Sequence, residues 1–498
     1  MRGLIGLCLL ALTGCASQPL WPDVEKDIKA AGLKPSEVAL SIVPLTAMPL
    51  TAKSFTAEPP TPALHYRADA LMQPASIMKV VTSSAALATL GLRWQGETQL
   101  LVAESDLITM VNGQLTSPLV LRGLADYDVS YGDLAELLLQ LRARGVTHLA
   151  SGVLVDRRLF APMPSDEERK PFDEAPQAYY NYQPDALPLA RNMLQIRIDS
   201  RGARKQPELT LIPRWQGLQL DNQLQLSQTT CEQASTNGWR FAVNPSVDPS
   251  MGQRGEPQFT LTVRGSFPPN CLLERYQAVL PREFNLELAL RSLWQQLGGT
   301  WQGAMRFGDT PDGYQVLASH YSRPLPQLVQ QMNKVSDNGL AQLVFQRLAD
   351  PSEQARELTL KAAEHQVLTW LASQQISTSG MVLDNGSGLS RSARLSTAQL
   401  AALLQANWQQ PWIYEFIASL PLAGQDGTIR QRFANSVVLN QARLKTGTLN
   451  NVTAIAGYVW DEQQRPYVFV AMVNAENAQS AGRELINRWL EQLVRQER

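Results

Sequence analysis

Cysteine and histidine are scarce in this sequence, with four of each in 498 residues. No CxxC pair occurs, and His65, His148, His320 and His365 are scattered, so metal binding has no spaced ligand set to rest on. They read as surface or packed histidines, and no metal and no cofactor is expected. A long basic run is also missing and the formal net charge is −1, which leaves nucleic acid without an electrostatic footprint. There is no GxSxG and no Ser/His/Asp arrangement that stands out, so a histidine-based serine site is not indicated. Internal repeats and low-complexity tracts are absent as well. The Leu4–Leu12 apolar run is too short to span a bilayer as a helix.

What is present is the composition of a soluble globular protein, 44% apolar and 18% charged, long enough for two or three domains. The opening "MRGLIGLCLLALTGCASQ" reads as an export signal over residues 1–15, with Arg2 as the positive start. Leu12-Thr13-Gly14-Cys15 resembles the lipobox of bacterial lipoproteins, which implies cleavage before Cys15 and a lipid on it. An ordinary signal peptide containing Cys15 is the alternative. Ala16 in the next position resembles lipoproteins sent to the outer membrane. The expectation is a protein exported to the periplasm of a Gram-negative bacterium, touching membrane only through its lipid anchor. Cys8 leaves with the signal, so Cys231 and Cys271 remain and are expected to pair in an oxidising compartment. Closing that loop stabilises by roughly 3 to 4 kcal/mol in the chain-entropy model.

Apolar spacing predicts a helix over Pro22–Leu33, strands over Glu37–Leu45 and Ala63–Ala70, and a helix opening at "QPASIMKVVTSSAAL". The strands "ETQLLVA" and "PLVLRGLA" flank "VNGQ", a hairpin signal. From about Phe160 to Cys271 the chain reads as loop-rich β structure. Helical patterns return at "NLELALRSLWQQLGG", and the end reads strand, strand, helix. These segments assemble into an α/β (α+β) domain built from residues 22–95 and 283–498, interrupted by a β-rich insertion over 96–282.

Three motifs stand in order: Ser76-Ile77-Met78-Lys79, Ser336-Asp337-Asn338 and Lys445-Thr446-Gly447. Each alone is weak, and an isolated Ser-Asp-Asn is more often an Asx turn or helix cap. The ordered trio is the signature shared by class A β-lactamases and penicillin-binding proteins. The chemistry suits each place. Ser76 at a helix start has its oxygen near unpaired N–H groups, and Lys79 lies one turn on along the same face. To act as a base Lys79 must be neutral, and burial with Lys445 nearby is expected to lower its pKa. Ser336 is a candidate proton relay to the leaving amine, and Asn338 a donor to the substrate carbonyl and a partner of Lys79. Lys445, Thr446 and Thr448 suit a terminal carboxylate, Gly447 admits the substrate backbone, and the N–H groups of Ser76 and Thr448 suit an oxyanion hole.

Together with "VLDNGSGLSR", "LPLAGQDGTIRQR" and "LKTGTLNNVTAIAGYV", these motifs resemble class C low-molecular-mass penicillin-binding proteins. Those are the D-alanyl-D-alanine carboxypeptidase/endopeptidases of the penicillin-binding protein 4 type. The resemblance implies a transpeptidase/β-lactamase-like domain with a central antiparallel sheet flanked by helices, and an insertion of two subdomains. It implies cleavage of terminal D-Ala and of D-Ala to diaminopimelate cross-links in peptidoglycan through an acyl-serine, and acylation of that serine by β-lactam antibiotics. Two departures occur. "RGLADYDVSYGDL" keeps Asp126 of a Gly-x-x-Asp-Pro element without its proline, and Ala190 stands before Arg191-Asn192 where relatives often carry an aspartate. A β-lactamase is disfavoured by the insertion and by the lack of a Glu-bearing deacylation loop. The remaining alternative is a lipid-anchored wall-binding scaffold whose cleft does not turn over. "DNGSGLS" lacks the spaced carboxylates of a calcium loop and reads as a loop beside the cleft.

Overall fold

A computed structural model describes residues 23–46, 62–109, 112–162, 172–173, 178–202, 204–234, 239–245, 259–350, 352 and 355–495. The export segment, with Cys8 and Cys15, lies outside the described residues. Both ends of the chain build one five-stranded antiparallel sheet. Its order is Ala442–Leu449, Val452–Trp460, Pro466–Asn474, Val38–Pro44 and Leu64–Tyr66.

The strand "PYVFVAMVN" shows why these residues form a central strand. Successive side chains point to opposite faces, so a sheet covered on both sides needs an unbroken apolar run. Tyr467, Phe469, Ala471 and Val473 join the cluster containing Ile28, Leu485 and Trp489, beneath the helices Val24–Ala30 and Arg483–Val494. Val468, Val470 and Met472 join the opposite cluster, with Val80, Leu328, Leu343 and Leu404 of the helices that carry the site. The helix Met78–Thr89 lies within that second layer and is buried from Met78 to Leu87. Its buried serines bond back along the helix, Ser83 to Lys79 O at 2.6 Å and Ser84 to Val80 O at 2.7 Å, while Thr82 donates to Gly386 O at 2.6 Å.

Among the described residues the insertion holds more strand than helix. Its first part is a mixed five-stranded sheet ordered Met305–Phe307, Val153–Asp156, Leu119–Leu124, Glu97–Ala103 and Tyr314–Tyr321, packed with the helices Tyr131–Ala143 and Arg282–Gln296. Because Tyr314–Tyr321 pairs with Glu97–Ala103, the chain returns to the first domain between Tyr321 and the helix Leu325–Lys334, not at residue 283. The strands Glu97–Ala103 and Leu119–Leu124 pair antiparallel, as the hairpin signal implied, but the connection between them is longer than a tight turn. The helix Glu104–Thr109 follows the first strand, and Gln114–Leu115 pairs in parallel with His148–Leu149. The second part holds two three-stranded sheets, and Cys231 is disulfide-bonded to Cys271 there. Among the described residues no helix is long and apolar enough to cross a membrane.

Candidate active site

The Ser76 segment is shaped by what presses on it. Ala75–Ile77 forms a 3-10 turn continuous with the helix Met78–Thr89, so Ser76 precedes the α-helix by a turn and Lys79 enters it. Ala75 has φ +48°, a left-handed conformation that costs about 1–3 kcal/mol in a non-glycine residue. Two glycines close over it. A Cβ on Gly388 would fall 1.9 Å from the Ala75 carbonyl oxygen, and one on Gly447 would fall 2.6 Å from Pro74 O and 3.0 Å from Ser76 N. Neither position admits a side chain.

Lys79 is fully buried. Its Nζ lies 3.0 Å from Ser76 Oγ, 2.7 Å from Asn338 Oδ1 and 2.6 Å from the Ser387 carbonyl oxygen. Burial lowers its pKa to about 7, opposed by the negative charge of Asp337. A neutral amine has two N–H donors and one lone pair. Two carbonyl acceptors and one hydroxyl match that set, with the lone pair left to accept the Ser76 proton. Burial is the leading cause of the lowering, as expected, and the repulsion between the two lysines shows at Lys445.

The other two motifs close the site. Ser336 has φ +61° in the loop between the helices Leu325–Lys334 and Asn338–Arg347, and its Oγ accepts from Lys445 Nζ at 2.8 Å. Lys445 is buried, and both burial and the charge of Lys79 push its pKa well down. Its Nζ also donates to Thr446 O at 2.7 Å, and the hydroxyls of Thr446 and Thr428 lie 2.7 Å apart. The strand Ala442–Leu449 is a sheet edge. Leu444 N donates outward to Pro421 O, so the alternate amides of Thr446 and Thr448 face the same edge, where an extended peptide can pair. Ser76, Ser336, Thr446 and Thr448 line one cleft of about 770 Å³.

A family model described as the D-Ala-D-Ala carboxypeptidase 3 (S13) family matches residues 54–493. The chain belongs to that family. It is a serine-type D-Ala-D-Ala carboxypeptidase of the penicillin-binding kind, and thus a hydrolase. The D-alanyl-D-alanine carboxypeptidase DacB of Haemophilus influenzae is 25% identical over 418 residues, covering 82% of each chain. A D-alanyl-D-alanine carboxypeptidase of an Actinomadura species is 29% identical over 404 residues, 78% of this chain and 70% of the relative. The crystal structure of penicillin-binding protein 4 from H. influenzae shares the fold, with a TM-score of 0.76 at 21% identity over 95% of this chain and 100% of that one.

Several groups of this carboxypeptidase site went unread in the sequence. Asp337 is buried, caps the helix Asn338–Arg347 through Leu340 N at 3.1 Å, and accepts from Tyr127 at 2.8 Å, Tyr179 at 2.6 Å and Gln331 at 3.0 Å. The Arg191 guanidinium lies over both tyrosine rings, 5.6 and 5.8 Å from their centroids. The insertion therefore clamps the Ser-Asp-Asn loop. Asn338 Nδ2 donates to Tyr180 O at 3.1 Å, which leaves one N–H for a ligand. Ala190, one residue before Arg191, begins three consecutive left-handed residues. Asp126 is buried against His320 at 2.6 Å and Thr98 at 3.0 Å, away from the cleft.

Asp337→Asn is expected to cost about 2 kcal/mol of stability, since hydrogen bonds to a charged acceptor are lost. Asp337 raises the Lys79 pKa, so the variant moves the rising limb of the acylation rate against pH to lower pH. Chemical denaturation and the pH profile of acylation check the two parts.

Proposed function

We propose that the protein trims and opens peptidoglycan stem peptides as both a D-Ala-D-Ala carboxypeptidase and a DD-endopeptidase. The observation that carries this reading is the buried Lys79 amine, with two carbonyls for its N–H groups and Ser76 Oγ for its lone pair. Lys79 takes the Ser76 proton as Oγ attacks the carbonyl of the penultimate D-Ala. The developing oxyanion meets the N–H groups of Ser76 and Thr448, each such donor being worth about 3 to 4 kcal/mol. The substrate carboxylate enters beside Lys445, Thr446 and Thr448, and its charge restores Lys445 to the cation that burial disfavours. The C–N bond breaks, the leaving amine gains a proton relayed through Ser336, and the acyl group stays on Ser76. Water then attacks the ester with Lys79 again as base.

A β-lactam enters the same way, its ring amide taking the place of the scissile peptide. The scaffold alternative is disfavoured, because a cleft without turnover has no use for two buried lysines held by hydrogen bonds. Export to the periplasm and a lipid on Cys15 complete the proposal. They are supported by the lipobox and by the wall location of the substrate. Cys15→Ala should then move the protein from the detergent phase to the aqueous phase on partitioning. The catalytic proposal is tested by incubating the protein with a monomeric stem pentapeptide and a cross-linked dimer. Release of D-Ala and conversion of dimer to monomer are expected, and neither occurs if the cleft only binds. Lys445→Ala is expected to lower kcat/KM for the pentapeptide by about 10- to 100-fold through loss of the carboxylate partner, measured by D-Ala release.

A further inference from the structure

We propose that the cleft carries an anion-binding subsite, built by Arg430 and Arg483, for a leaving strand that bears carboxylates of its own. The inference rests on the acyl-serine reading and adds which bond the enzyme prefers to cut. The cleft that holds Ser76, Ser336, Thr446 and Thr448 continues along Gly427, Thr428, Arg430, Gln431, Arg432 and Arg483. Its roughly 770 Å³ falls within the range of about 300–1,000 Å³ that suits ligands far larger than one amino acid.

The two arginines line the same cleft without a counter-ion. Among the described residues the Arg430 and Arg483 side chains are exposed and make no hydrogen bond or ion pair. Behind them, Arg432 donates from Nε to Asn487 Oδ1 at 2.7 Å and from Nη2 to the Arg483 carbonyl at 3.4 Å. Burial and then the charge of Arg483 lower the Arg432 pKa to about 10. The nearby carboxylates leave both guanidiniums without an ion pair. Asp426 pairs with Lys334 at 2.6 Å, Glu491 accepts from Ser436 at 2.7 Å, and Glu484 makes no ion pair with its neighbour Arg483. Crowded like charges are unfavourable, and an anionic ligand removes that cost.

The placement says which end of the substrate is meant. The arginines share the cleft with Ser336 and Thr446, the side from which the amine departs. The groups on the Lys79 and Asn338 side, Ser387 and Tyr180, do not line it. Free D-Ala brings one carboxylate, already served by Lys445 and the threonines. Two further guanidiniums match a leaving strand that is itself a stem peptide, as in a cross-link. The bond broken and the proton delivered are unchanged; only the size and charge of the leaving amine differ.

The test compares kcat/KM for a cross-linked muropeptide dimer with that for the monomeric pentapeptide. In Arg430→Ala/Arg483→Ala the ratio of dimer to pentapeptide is expected to fall about tenfold or more, and in Arg430→Lys/Arg483→Lys to recover most of that loss. On the wild-type protein, raising salt from about 50 to about 300 mM should depress dimer cleavage more steeply than pentapeptide cleavage. This second measurement needs no variant to fold. An unchanged ratio, parallel salt slopes, or a wild-type protein that cleaves only the pentapeptide would overturn the subsite while leaving the acyl-serine reading intact. A wild-type protein that benzylpenicillin does not acylate and that cleaves neither substrate would overturn both.

Discussion

Ser76→Ala is expected to lose turnover of the stem pentapeptide by about 10⁴-fold or more, and to form no covalent adduct with benzylpenicillin. No other hydroxyl takes its place. Ser336 Oγ is held by Lys445, and the Thr446 and Thr428 hydroxyls hold one another. The variant should keep its stability within about 0.5 kcal/mol, because one half-buried hydroxyl is removed and the Lys79 N–H groups retain Asn338 and Ser387. D-Ala release and thermal unfolding measure the two halves of this expectation. A Ser76→Ala protein that still turns over would move the nucleophile elsewhere.

Lys79→Ala should come next in size, with acylation slowed by about 10³-fold or more, since it removes the base and leaves Asn338 Oδ1 and Ser387 O unpaired in a buried site. Lys79→Arg separates base from positioning. A guanidinium reaches similar acceptors but does not give up its proton. It is expected to be as slow as the alanine variant in acylation, read by stopped-flow mixing with a chromogenic β-lactam. An arginine variant with near wild-type rates would show that Lys79 only positions Ser76.

The fold was legible where one residue pattern has one physical solution. The unbroken apolar run of Pro466–Asn474 requires cover on both faces, and Val468 and Phe469 do enter opposite cores. The three motifs were legible for the same reason, since each holds its chemistry within three or four residues. What escaped is held together by distant partners. Tyr314–Tyr321 belongs to the insertion only because it pairs with Glu97–Ala103, and nothing local in the strand says so. Asp337 reads as an ordinary cap from its neighbours, and it is one. Its second role depends on Tyr127 and Tyr179, which the insertion brings from elsewhere in the chain. Ser387 contributes a main-chain carbonyl, a group every residue has. The only trace of it in the sequence is the glycine that follows, Gly388, whose missing side chain makes room for Ala75.

The pH dependence of acylation by benzylpenicillin tests most directly the claim that a buried, neutral lysine activates the serine. Lys79 gains its lone pair as pH rises through about 7, so the rate constant should climb through that pH and level off above it. A rate constant that is flat from about pH 5 to about pH 9, or one that only falls as pH rises, would contradict the account.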